Sequence, residues 1–144
     1  MNPAHRTARF WCAIPAVEVP DRGIAIVTAC NPHDRPTDDE TNRRADAALA
    51  AELDRLGWRR FRVTGGSPDG AHQEPGWGVD CGSLAAAIDL GRRWGQVAVF
   101  WVEQEALHLV DCHDGSVEAL GSWSGRTRFD LPPGPWRIGP PAPV

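Results

Sequence analysis

The spacing of apolar positions predicts two helices. The first begins at Thr37, where Thr37 and Glu40 fit a capping box, and ends at Gly57, a residue that readily adopts the left-handed conformation of helix ends. The second begins after Ser83, a good N-cap residue, and ends at Gly95. Apolar residues recur at three- and four-residue spacing in both, at Ala45, Leu49, Leu53 and Leu56 and at Leu84, Ala87, Ile88, Leu90 and Trp94. We therefore expect one side of each helix to pack on a core.

Short runs of β-branched and aromatic residues, bounded by turn residues, predict the strands. Five are predicted at residues 23–29, 59–64, 77–81, 97–102 and 106–111, and two weaker ones at residues 10–19 and 117–120. In the second run Arg60 and Arg62 alternate with Phe61 and Val63, which predicts one half-exposed face and one buried face. A hairpin turn is expected at residues 103–105.

In chain order these elements read strand, helix, strand, strand, helix, strand and strand. The order predicts an α+β protein: a two-layer α/β sandwich with a β-α-β-β-α-β core and extra hairpin strands. A doubly wound three-layer fold fits the pattern less well, because two helices cannot cover both faces of a sheet. We expect the N-terminal segment and a Trp-bearing tail to cover the second face.

Length and proline content predict one domain followed by a tail. A chain of 144 residues can bury the core of one domain but hardly of two, and residues 1–130 are the predicted α/β domain. The last 14 residues, 131–144, hold six of the 13 prolines and are predicted to be extended. Two roles stay open for this Pro-rich tail: docking on its own domain through Trp136 and Ile138, or binding a partner.

The charge of the chain narrows the partners that we expect. Its 15 basic residues are all Arg against 19 acidic residues, a formal net charge of −4, which argues against nucleic-acid binding. Gly65-Gly66 follow a strand but lack the lysine of a phosphate-binding loop, and no cofactor is predicted. The chain has no apolar run of about 18 residues and no signal-peptide pattern, which predicts a cytoplasmic protein with no membrane partner. No oligomeric state is predicted.

The cysteines and histidines offer one candidate set of metal ligands. Cys30-x-x-His33 has a chelating spacing, and His108 with Cys112-His113 would complete four ligands. No second pair of closely spaced thiolates accompanies them, so no metal is predicted and the four cysteines are expected to be reduced thiols. Cys30 alone is placed like a nucleophile, near a helix N-terminus that would lower the pKa of its thiol.

Two loops hold the candidate chemistry. Asn31 follows the first central strand, at the end of a sheet where ligands often bind, although Asn-Pro is also typical of a plain turn. Residues 65–77 carry no regular element in the prediction and place His72 two positions before Glu74. His72-x-Glu74 fits the first half of a zinc deaminase signature, but the second half is absent from the chain. Glu74 and Gln96 have a structural alternative, as anchors for loop amides.

Several short motifs, in order along the chain, resemble a known family. They are Thr28-Ala29-x-Asn31-Pro32, Asn42-Arg43, a Gly-rich loop that reaches Glu74-Pro75, and Gly95-Gln96-x-Ala98-Val99. Over roughly residues 22 to 112 the chain resembles an uncharacterised bacterial family, the domain of unknown function 3293. The resemblance implies that Asn31, Asn42, Glu74 and Gln96 are the positions to compare. Family members tend to have Ser after Glu-Pro, where this chain has Gly76.

Three functions from different classes remain open. The first is a binding or regulatory module with a polar pocket formed by Asn31, Asn42, Arg43, Glu74 and Gln96. The alternative is a small hydrolase or transferase that acts on a small polar or anionic substrate, with Glu74 as general base and Arg43 steadying an anion. The tail and the hairpin at residues 103–105, which carries Glu103 and Glu105, could instead bind a protein partner. The pocket requires Asn31, Glu74 and Gln96 to lie together.

Overall fold

Residues 1–13 and 19–134 are described by the computed structural model. The strands are β1 (Arg9–Trp11), β2 (Ile24–Val27), β3 (Arg60–Gly66), β4 (Gln73–Val79), β5 (Ala98–Glu103), β6 (Ala106–Asp111), β7 (Val117–Ser122) and β8 (Thr127–Arg128). The helices are α1 (Asp39–Leu56), α2 (Leu84–Arg93) and the short α3 (Trp123–Arg126), with 3-10 turns at Pro3–Thr7 and Pro32–Asp34. Trp136, Ile138 and residues 14–18 of the first predicted strand lie outside the described residues.

The strands form one mixed, curled sheet in the order β7-β6-β5-β2-β4-β3-β1-β8. Neighbouring strands are antiparallel except β1 and β8, which are parallel. β2 lies between β4 and β5, although α1, β3 and α2 intervene along the chain. The predicted α+β class is confirmed, and the elements follow the predicted β-α-β-β-α-β order.

The two faces of the sheet are covered by different parts of the chain. The helix face, which includes Ala25 and Val27, packs against buried leucines of α1 and α2. The opposite face, which includes Ile24 and Ile26, packs against the N-terminal segment and α3. Its core contains Ala8, Phe10, Cys12, Phe61, Val63, Val102, Leu107 and Trp123. The N-terminal segment therefore covers the second face as expected, and among the described residues Trp123 packs there as well.

The start of α1 differs from the prediction. Its N-cap is Asp38, whose Oδ1 accepts a hydrogen bond from Thr41 N at 2.8 Å. The capping box predicted at Thr37 is wrong because Thr37 N donates instead to Asn31 Oδ1 at 2.9 Å, so Thr37 belongs to the preceding loop. The predicted end is confirmed: Gly57 has a φ of +72°.

Residues 65–77 are not an irregular loop, and this prediction is wrong. β3 continues to Gly66 and β4 begins at Gln73, so the irregular part is reduced to residues 67–72. The low strand propensity of Gly and Pro hides this hairpin in the sequence. A Cβ at Gly76 would lie 2.6 Å from Val27 O, so the close approach of β2 requires glycine there.

A buried ion pair holds α1 on the sheet. Arg62 Nη1 and Nη2 donate to the two carboxylate oxygens of Asp46 at 2.7 and 2.8 Å, and the guanidinium carbon lies 3.7 Å from the ring centroid of Trp77. Arg62 Nη1 also donates to Gly76 O at 3.2 Å. One side chain of β3 thus fixes both a helix and the neighbouring β4.

Candidate functional site

A cavity of about 480 Å³ opens on the opposite face of the sheet. Its walls are the N-terminal 3-10 turn, the loop that follows β2, and the ends of β3 and β4. The floor is apolar and consists of Phe10, Ile26, Val63, Ala98 and Phe100. The rings of Phe10 and Phe100 meet edge to face, with centroids 4.9 Å apart. Such a floor suits the apolar body of a small molecule.

Asn31, Glu74 and Gln96 all line this cavity. Asn31 lies beyond the carboxyl end of β2, Glu74 near the start of β4, and Gln96 just before β5. Because β4 and β5 flank β2 and run antiparallel to it, their first residues lie beside its end. Within the described part of the chain no direct hydrogen bond joins the three side chains, so each has its own set of partners.

The carboxamide of Asn31 is held by backbone and by Asn42. Asn31 Oδ1 accepts from Thr37 N and from Asn42 Nδ2, both at 2.9 Å, and Asn31 N donates to Asn42 Oδ1 at 2.9 Å. This network fixes Asn31 in a left-handed conformation, with φ 48° and ψ 56°. Asn42 is buried behind it and positions Asn31 without lining the cavity described here.

Gln96 is fixed in a similar way. Its Nε2 donates to Cys30 O and to Trp94 O, each at 3.2 Å. These two bonds tie the start of β5 to the end of β2. Gln96 therefore has the anchoring role that the structural alternative predicts, while the side chain also faces the cavity.

Two pairs of histidine and carboxylate stand at the polar rim. Glu74 Oε2 lies 2.9 Å from His72 Nε2, and the hydrogen bond with Glu74 raises the pKa of His72. On the other wall, Asp34 Oδ1 lies 3.1 Å from His5 Nε2, and Asp34 Oδ2 accepts from Asn2 N at 3.0 Å. The rim therefore has two carboxylates, each beside an imidazole.

The N-terminal wall was missed by sequence reasoning. His5 belongs to the 3-10 turn Pro3–Thr7, and Asn2 Oδ1 caps this turn by accepting from Ala4 N at 2.9 Å. The signal was present as Asn2-Pro3, because Asn is a good N-cap and Pro fits the first helical position. The contact between His5 and Asp34 spans residues far apart in sequence, and no local pattern predicts it.

Arg43 does not join the other predicted residues. It lies on α1, where Nη1 donates to Glu40 Oε2 at 3.0 Å, and it is not among the described residues that line the cavity. No arginine occurs in that lining among residues 1–13 and 19–134. The expectation that Arg43 steadies an anion therefore has no support from its position.

Cys30 is not an activated nucleophile. The thiol is buried, and this desolvation raises the pKa of Cys30 to about 12. Sγ donates to Pro75 O at 3.6 Å. The thiol stays protonated at neutral pH, so the expectation of a lowered pKa is wrong.

No group of three or more His, Cys, Asp or Glu side chains within residues 1–13 and 19–134 is placed to hold a metal ion. Of the helices in these two stretches, none combines the length and the apolarity that crossing a membrane requires.

A second depression of about 410 Å³ lies near the start of α2. Arg22 and Trp101 line it, but Arg22 is already paired with Asp80. Asn31, Glu74 and Gln96, three of the five residues that the sequence singles out, line the first cavity. The first cavity is therefore the candidate functional site.

Fold and cavity together define an α+β protein with a polar-rimmed pocket at the end of its central strand. The chain belongs to the family described as Protein of unknown function (DUF3293), whose model matches residues 27–99, as the sequence motifs predict. The matched region runs from the end of β2 to the start of β5 and contains Asn31, Asn42, Glu74 and Gln96. No curated protein and no solved structure matches the chain.

Proposed function

We propose that this protein is a binding module that takes a small organic molecule into the cavity on the opposite face of the sheet. The supporting observation is the convergence of Asn31, Glu74 and Gln96, from three separate segments, above an apolar floor. A volume of about 480 Å³ falls within the range of small-molecule sites. The floor buries the apolar body of the ligand, and the rim orients its polar end.

Gly65 offers a direct way to close the cavity. It lies on β3 in the lining, and a Cβ there would be 3.5 Å from Phe10 Cε1, an ordinary van der Waals contact. The change Gly65→Val adds a β-branched side chain to a strand, where such residues are favoured. We expect a folded protein with a smaller cavity.

The test is an NMR titration with benzyl alcohol, an uncharged aromatic probe. Binding in the cavity shifts the backbone amides of Gly65, Gly76 and Phe100, and Gly65→Val removes these shifts. Ala119→Val is the matched control, because it makes a similar addition at an exposed position of β7, outside the cavity lining. The proposal fails if the wild-type amides do not move, or if Gly65→Val responds like the wild type.

A hydrolase or transferase is the second candidate, and the contact between His72 and Glu74 favours it. An imidazole that is hydrogen-bonded to a carboxylate is a general-base arrangement, and this one stands at the cavity rim. Incubation with a panel of small esters and amides tests it. A turnover that falls with Glu74→Gln and equally with His72→Gln supports catalysis. If no ester or amide of the panel is turned over, the catalytic candidate is rejected and the binding role is the one that remains.

A further inference from the structure

We infer that the ligand presents N–H donors on a planar polar group, as a carboxamide, an amidine or an amino-substituted heterocycle does, and that it is not an anion. The inference rests on the proposed binding function and specifies its ligand. It comes from the hydrogen-bonding atoms that the lining residues leave unused.

The orientation of the two amides follows from their backbone partners. Thr37 N is only a donor, so it must face Asn31 Oδ1, and Asn31 Nδ2 is left without a partner among the described residues. Cys30 O and Trp94 O are only acceptors, so they must face Gln96 Nε2. Gln96 Oε1 is then the atom that has no donor within the part of the chain described.

Glu74 adds a second unused acceptor. His72 takes Oε2, and Oε1 has no donor within residues 1–13 and 19–134. The three lining residues together offer two acceptors, one of them charged, and one donor. A ligand that satisfies them supplies two N–H groups and one acceptor. A carboxylate ligand supplies acceptors alone and leaves Glu74 and Gln96 unsatisfied, which is costly in a partly desolvated site.

The charges in the lining favour the same choice. Two carboxylates, Asp34 and Glu74, are accompanied by the imidazoles of His5 and His72, and no arginine is present in the described lining. An anion bound there would approach Glu74 with no arginine of the described lining to offset the repulsion. A neutral or cationic donor group is not repelled by these carboxylates.

The floor accounts for the planar body. Phe10 and Phe100 present aromatic surface, and Gly65 has no side chain to fill the space above β3. A flat ring can therefore lie against the floor while its polar substituent reaches the rim. The complete ligand is a planar ring or chain segment with an N–H-bearing substituent.

Benzamide and benzoate give a matched test, because they share a ring and differ in an amide against a carboxylate. NMR titration at pH 7.5 measures the dissociation constants from the amide shifts of Gly65, Gly76 and Phe100. We expect benzamide to bind at least about tenfold more tightly than benzoate, since benzoate leaves one or more acceptors unsatisfied. Benzamidine, a cation with N–H donors only, is expected to bind more tightly than benzoate as well.

A variant ties this preference to Glu74. Glu74→Gln replaces an acceptor with a group that also donates, so the preference for benzamide over benzoate should shrink several-fold. Asp89→Asn is the control: it removes the same charge from an exposed position on α2 and should leave the preference unchanged.

The outcomes separate this inference from the function on which it rests. If benzyl alcohol binds in the cavity while benzoate equals or exceeds benzamide, the inference is wrong and the binding function stands. If benzyl alcohol does not shift the lining amides, the binding function falls and the inference falls with it. If the preference for benzamide over benzoate is unchanged in Glu74→Gln, Glu74 is not the group that distinguishes the amide from the carboxylate.

Discussion

Asp46→Asn should destabilise the protein by about 3 kcal/mol, at the lower end of the range for breaking a buried ion pair. The Asp46 side chain is 4% exposed and that of Arg62 is 20% exposed, so the change sets a neutral amide in place of a carboxylate beside a largely buried arginine charge. The cost stays at the lower end because Arg62 keeps its contacts with Gly76 O and with the ring of Trp77. Asn has the shape of Asp, so no space is opened.

Urea unfolding measures this cost. With a slope of about 2 kcal/mol per molar, a loss of about 3 kcal/mol lowers the midpoint by roughly 1.5 M. Asp54→Asn is the control on the neighbouring pair, in which Arg60 bonds an Asp54 side chain that is 60% exposed. An exposed pair is worth less than about 1 kcal/mol. Equal midpoints for the two variants would refute the reasoning that burial decides the cost.

Three further outcomes follow from the site. Glu74→Gln should change the free energy of unfolding by less than about 1 kcal/mol in a thermal melt, because its one hydrogen-bond partner among the described residues, His72, is largely exposed. Because the pKa of His72 is raised in the folded protein, protonated His72 stabilises the fold at pH values below the ordinary pKa of histidine, and this stabilisation is lost as pH rises through the raised pKa. The measurement is the free energy of unfolding as a function of pH, compared between the wild type and His72→Gln. Cys30, whose thiol pKa is about 12, should resist alkylation by iodoacetamide in the native state, and rapid labelling followed by mass spectrometry would contradict this.

Local signals predicted the regular elements well. Ser83 caps α2 by accepting from Ala86 N at 3.1 Å, and β6 has the predicted bounds. The hairpin of β3 and β4 was missed because pairing across the sheet overrides the low strand propensity of Gly76 and Pro75. The same hairpin places Glu74 on a strand and not in a loop. The strand propensity of single residues does not include the stabilisation that comes from pairing with a distant strand.

The candidate site was predictable in part. Asn31, Glu74 and Gln96 stand next to strand ends in the sequence, and the family resemblance singles them out, so their meeting at one cavity could be anticipated. Arg43 was included for its positive charge, but it lies on α1 paired with Glu40 and is not among the described residues that line the cavity. His5 could not be placed, because its wall forms only when the N-terminal turn packs over the sheet.

The central position of β2 bears on how the protein folds. Ala25 pairs with Val79 on one side and with Trp101 on the other, so both ladders of the middle strand close long loops. Closing such loops costs chain entropy before the contacts return any stabilisation, and folding that depends on them is slow. The cavity is bounded by the ends of these same strands, so it cannot form in a partly folded chain. A ligand would therefore bind only when the whole sheet has assembled. It would stabilise the protein against global unfolding more than against local opening of any single loop.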